Sequence, residues 1–184
     1  MGSDNPNGAD NQQERLIELG WVLGFVDGEG CFSIGFVRQS GGRGRSAYKL
    51  GYQVAHRFVV AQGASSWHCL EDLRDFFGGA GFVYGNARRD NHREHMAQYV
   101  VQNRDDLLEE IIPFFKAYPL RSAKRMDFEK FARCMYMIDE GLHRTREGLL
   151  EIVEIAQTMN RRKARPDLVR ILRGHTPEVQ DTGS

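Results

Sequence analysis

In Gly20-Trp-Val-Leu-Gly-Phe-Val-Asp-Gly-Glu-Gly30 an apolar, glycine-punctuated helix runs into two carboxylates set two residues apart. Gly20, Gly24 and Gly28 recur every fourth residue, so they share one helical face on which a second backbone can approach closely. Leu19, Trp21, Val22, Leu23, Phe25 and Val26 leave no clean polar face, which predicts apolar neighbours nearly all round. Asp27 and Glu29 emerge at the C-terminal end, where the helix dipole disfavours negative charge. Acids placed there call for a compensating cation, and a hard divalent ion with oxygen ligands suits them.

Downstream the hydrophobic period changes from helix to strand. Cys31 to Val37 alternates, with Phe32, Ile34 and Phe36 on one face. Gly41-Gly-Arg-Gly44 reads as a hairpin tip, and a long strand from Tyr48 to Gln62 points Tyr48, Leu50, Tyr52, Val54, Phe58 and Val60 inward. Lys49, Gln53, Arg57 and Val59 face the other way. Ser65 or Ser66 can cap a helix through Phe77 that Gly78-Gly79 ends. Strands at about 81–89 and 95–102 follow, joined by Arg89-Asp-Asn-His92.

The remainder reads as helices. Asp105, Ser122 and Thr145 are candidate N-caps, while Phe128, Phe131, Met135 and Ile138 form one apolar stripe and Leu149, Ile152, Ile155 and Met159 another. Residues 1–13 are expected to be a flexible leader whose Met1-Gly-Ser resembles an expression remnant. Residues 14–162 read as one domain, and 163–184 as a tail in which Pro166 opens a short helix that Gly174 closes. The class is α+β: helix, two strands, helix, two strands, helices, with an antiparallel sheet covered by helices on one face.

Val22-Leu-Gly-Phe-Val-Asp-Gly-Glu-Gly30 is similar to the nine-residue motif of the LAGLIDADG homing endonucleases. Ile112-Pro-Phe-Phe-Lys-Ala-Tyr-Pro-Leu120, Lys124, Asp127-Phe128, His143, Glu147-Gly-Leu149 and Met159-Asn160 resemble the family's downstream pattern, so the resemblance covers about residues 14 to 160. Glu29 departs from the family's last Asp; it keeps the charge and the oxygen donors and adds one methylene. Met137-Ile-Asp-Glu-Gly141 lacks the residue between the acids and is not a second motif.

The resemblance implies an αββαββα fold and a homodimer packed on Gly20, Gly24 and Trp21. It implies site-specific cleavage of double-stranded DNA, with short 3′ overhangs at a long, near-palindromic site. Mg2+ or Mn2+ would be held by Glu29 and the Gly28 carbonyl, with Asp27 capping or ligating, Lys124 or the weaker Arg121 acting on water or phosphate, and Gln62 organising water. Ser33, Arg38, Arg43, Arg45, Lys49, Gln53, Arg57, Asn86, Arg88 and Gln98 are the candidate DNA contacts. An intron-encoded gene is expected. The alternatives are a non-cleaving maturase or regulator of the same fold, and an α+β interaction domain whose glycine helix only dimerises.

Composition constrains less. The chain has 184 residues, and its 25 basic and 25 acidic side chains cancel, which argues against a simple basic nucleic-acid binder. Their distribution is uneven, since residues 1–30 carry six acids against Arg15 whereas the strand regions hold most of the arginines named above. Cys31, Cys69 and Cys134 lack CxxC spacing, so neither a disulfide framework nor a zinc site is indicated. His92 and His95 sit beside arginines and read as a solvated loop. The sequence shows no secretory signal or membrane span, and an intracellular protein is expected.

Overall fold

The computed structural model describes residues 6–39, 50–86, 95–160 and 166–174. Helix α1 (Pro6–Glu29) leads into β1 (Gly30–Arg38), β2 (Tyr52–Gly63), α2 (Trp67–Phe76), β3 (Phe82–Asn86) and β4 (Met96–Val101). A helical stretch follows, α3 (Arg104–Asp106) running through a π-turn at Leu107–Ile111 into α4 (Ile112–Ala117), and then α5 (Lys124–Asp139), α6 (Arg146–Ala156) and α7 (Pro166–Gly174). The sheet order is β1-β2-β4-β3, and both β2–β4 and β3–β4 run antiparallel. This is the expected α+β architecture, extended by C-terminal helices.

Contacts divide the chain into two compact units. One is drawn from residues 1–32 and 57–125, the other from 33–56 and 126–184. Helix α1 starts at Pro6, so part of the expected leader, residues 6–13, is helical.

The first unit is built on aromatic packing. Phe58 stacks on Phe32 with ring centroids 5.0 Å apart and meets Tyr99 and Phe115 edge-on at 6.1 and 5.8 Å. Val22, Val26, Leu70, Leu73, Val60 and Ile111 are fully buried around this cluster. Tyr99 satisfies its hydroxyl by donating to the Ala80 carbonyl at 2.8 Å. In the second unit Phe131, Met135, Leu149 and Ile152 are fully buried and Phe128, Ile138 and Met159 nearly so, as the two stripes predict, whereas Ile155 is half-buried and Val153 and Ala156 join the core instead.

Several local expectations are corrected. Ser66 makes no side-chain cap of α2, which is instead entered through a 3-10 turn at Ala64–Ser66. Asn103, not Asp105, caps α3, because its Oδ1 accepts from the Asp105 and Asp106 N–H groups at 2.8 and 3.3 Å. Thr145 does cap α6, accepting from the Gly148 N–H at 3.1 Å. Gly148 itself is required, since a Cβ there would lie 2.3 Å from the Leu142 carbonyl oxygen.

Helix α1 departs most from expectation. Its Val22 and Val26 stripe is buried, but a Cβ built on Gly20, Gly24 or Gly28 meets no atom within 4 Å among the described residues. Leu16 and Ile17 are 61% and 64% exposed, so the helix lacks the all-round apolar neighbours its composition predicts.

Candidate active site

The last turn of α1 is fixed by groups from far along the chain. The Asp27 carboxylate accepts from the Arg121 N–H at 3.1 Å and, through both oxygens, from the Ser122 N–H at 3.1 Å. Burial alone would raise the Asp27 carboxyl. The Ser122 hydroxyl, the Ser122 and Arg121 N–H groups and the Lys124 charge outweigh it and hold the pKa below the ordinary value. Asp27 is thus a strut between α1 and the turn that precedes α5. Ser122 completes that turn by capping α5, its Oγ accepting from the Lys124 N–H at 3.2 Å.

Lys124 returns the connection. Its Nζ donates to the Asp27 carbonyl at 2.7 Å and to the Gly28 carbonyl. An ammonium on two carbonyl oxygens at a helix C-terminus is electrostatically favourable and marks the spot as one that attracts cations. Gly30 allows the chain to turn directly into β1, because a Cβ there would sit 2.6 Å from the Val26 carbonyl oxygen. Glu29 is left exposed on the last residue of the helix.

A test follows from the Asp27 strut. A carboxyl with a depressed folded-state pKa contributes its stability in full above the unfolded value and loses it as pH falls through the lower folded one. Asp27→Asn is expected to cost about 1–2 kcal/mol at neutral pH, because an amide turns a donor toward at least one of the two N–H groups. The difference from the unmutated chain, measured by urea unfolding against pH, should shrink to nothing in acid.

The LAGLIDADG endonuclease family model matches residues 22–135, more than half of the chain. The chain belongs to this family. It is 34% identical over 128 residues to an uncharacterized 50.9 kDa protein in ND4 intron 1 of Podospora anserina, covering 68% of this chain and 25% of that protein. It is 30% identical over 141 residues to a protein of Neurospora crassa named probable intron-encoded endonuclease 3, covering 76% of this chain and 24% of that one. The chain therefore spans about a quarter of the length of these relatives. Among solved structures, the homing endonuclease I-TnaI is 36% identical with a TM-score of 0.71, covering 85% of this chain and 96% of that one. I-SmaMI, bound to cleaved DNA, is 27% identical with a TM-score of 0.71, covering 85% and 48%.

The remaining candidates for a LAGLIDADG site distribute as follows. Arg121 is exposed and takes part through its backbone N–H. Gln62 is half-buried near the end of β2, opposite Ala97. On the sheet, Arg38, Gln53 and Arg57 are exposed, and Ser33 and Gln98 half-buried. Asn86 ends β3, paired with Met96. Arg43, Arg45, Lys49 and Arg88, with the hairpin tip and the 89–92 turn, lie outside the described residues.

Among the described residues no group of three or more His, Cys, Asp or Glu side chains comes together. The hard donors at the end of α1 are the Glu29 carboxylate and the backbone carbonyls. Such oxygens suit Mg2+ or Mn2+, but one copy supplies fewer than the six or so ligands these ions take. Burial pushes the Cys134 thiol up to about 12, which leaves it protonated and inert. No helix among the described residues is long and apolar enough to cross a membrane. Sequence reasoning missed the Ser122 contact to Asp27, for which a separation of 95 residues offers no signal.

Proposed function

We propose that this chain is a divalent-metal-dependent DNA endonuclease of the homing type, encoded within an intron and acting inside the cell. It works as a homodimer and makes a double-strand break with short 3′ overhangs at a long, near-palindromic site. The observation that carries this reading is the last turn of α1, where Asp27 and Lys124 fix the helix end and leave Glu29 exposed beside an open glycine face.

Glu29 would hold the cation together with the same group of a second copy, and the Gly28 carbonyl, which Lys124 Nζ occupies in the single chain, would join it once Lys124 turns to the phosphate. When bound, Mg2+ or Mn2+ supplies activation of a water molecule and stabilisation of the leaving oxygen. Asp27 keeps Glu29 aimed by pinning the helix end rather than by ligation. Lys124, with Arg121 as the weaker candidate, brings positive charge against the charge that develops on the phosphate, and Gln62 orders water. The sheet face that carries Ser33, Arg38, Gln53, Arg57 and Gln98 lies in the groove, and Arg43, Arg45, Lys49, Asn86 and Arg88 are the further candidate DNA contacts. Arginines position it on phosphates and amides contact base edges.

Two copies meet on α1. Gly20 and Gly24 let the backbones approach, and Trp21, 37% exposed and stacked on Phe25 at 5.3 Å, flanks the contact. Gly24→Leu is expected to give a folded monomer, because a side chain there has open space in its own chain and leucine is the better helix former. Sedimentation should show loss of the dimer, with the circular dichroism of the native fold kept and cleavage lost.

The reading is tested by selecting cleaved duplexes from a randomised library in Mg2+. A long, near-palindromic consensus is the expected product. Enrichment by binding without cutting would point to a maturase or regulator, and no enrichment at low salt, where any phosphate-tracking protein binds, would leave an interaction domain.

A further inference from the structure

Two glutamines on the sheet have their amide orientation set by a neighbour. Tyr84 and Gln98 are directly opposite on β3 and β4, and the Tyr84 hydroxyl donates to Gln98 Oε1 at 2.8 Å. The Tyr84 ring is held in turn by Phe82, with centroids 5.8 Å apart. On its other side Gln98 faces Ala61 of β2, which is too small to contest the amide. Ala97 and Tyr99 on either side along the strand are fully buried, so Gln98 projects from the opposite face. The second unit repeats the device, with Gln39 Nε2 donating to Gln53 Oε1 at 2.9 Å.

A glutamine amide offers a carbonyl acceptor and two N–H donors. To read adenine it needs both ends, a donor for N7 and an acceptor for the N6 amino group. A hydrogen bond from the protein takes one of the two lone pairs of that oxygen and holds the carbonyl end toward its neighbour, which favours the two N–H donors as the groups presented to a base pair. Guanine presents only acceptors on its major-groove edge, O6 and N7.

We infer that Tyr84 and Gln39 are specificity-determining positioning residues that turn Gln98 and Gln53 into donor readers favouring guanine over adenine at the base pairs they meet. The inference rests on the DNA-binding reading above.

The experiment is sequence profiling of bound and cleaved duplexes from the randomised library, with the full chain in Mg2+. Gln98→Ala first locates the base pair that Gln98 reads. Tyr84→Phe keeps the ring and removes only the hydroxyl, and is expected to lower the preference for guanine over adenine about tenfold at that base pair alone. The double variant should match Gln98→Ala, since the hydroxyl acts only through the amide. Gln39→Ala should do the same at the separate base pair that Gln53→Ala locates. A Tyr84→Phe profile that is unchanged, altered elsewhere or weakened uniformly, with Gln39→Ala behaving alike, overturns the inference while the endonuclease reading stands. An unmutated protein that enriches no duplex overturns both.

Discussion

Glu29→Gln is expected to lower the cleavage rate about a thousandfold while leaving duplex binding in place. The change is nearly isosteric and falls on an exposed side chain at the end of α1, so it disturbs neither the Asp27 strut nor the core. What it removes is one negative charge and the anionic oxygen proposed to draw in a divalent ion. Losing several kcal/mol of transition-state stabilisation corresponds to about that factor in rate. Binding without metal should be as tight as before or tighter, because an uncompensated carboxylate repels the phosphate it faces. Filter binding in EDTA beside single-turnover cleavage in Mg2+ separates the two effects. Equal cutting by both proteins would remove Glu29 from the metal site.

The second large effect is on folding. Gly81, just before β3, has φ +75°, and a Cβ there would stand 2.3 Å from the Val100 carbonyl oxygen and 2.9 Å from a Val101 methyl. Gly81→Ala therefore combines a left-handed backbone, which costs a side-chain-bearing residue about 1–2 kcal/mol, with a backbone clash that relieves itself only by shifting β3 from β4. The expected destabilisation is about 3 kcal/mol or more, measured by urea unfolding. Gly24→Leu, equally a glycine loss, should leave the fold intact, since nothing in its own chain lies near it. The contrast distinguishes glycines that close backbone contacts require from the one proposed to serve a partner.

Much of the first unit was legible because its signals are local. The helix-to-strand change at Glu29 and Gly30 is written in the acids and in a glycine that Val26 leaves no room to replace. The alternation that points Phe32, Phe58 and Val60 inward, and likewise Ile34 and Val54 in the second unit, is a period-two pattern that burial enforces. Contacts between distant segments were not legible. Nothing near Asp27 announces Ser122, and nothing near Gln98 announces Tyr84, because both pairings arise only once the chain has folded. The cap of α3 was missed for a different reason: Asn103 and Asp105 are both good capping residues, and backbone geometry chose between them. The open face of α1 was not assignable from composition, because apolar content alone does not separate a side chain buried in its own unit from one left uncovered there.

The most direct test of the central claim is to map the cut on each strand of the selected consensus duplex in Mg2+. Two copies of Glu29 related by a twofold axis predict one cut per strand, symmetric about the centre of the site, with short 3′ overhangs and two chains per duplex. A nick confined to one strand, or a bound duplex left intact in both Mg2+ and Mn2+, would contradict it.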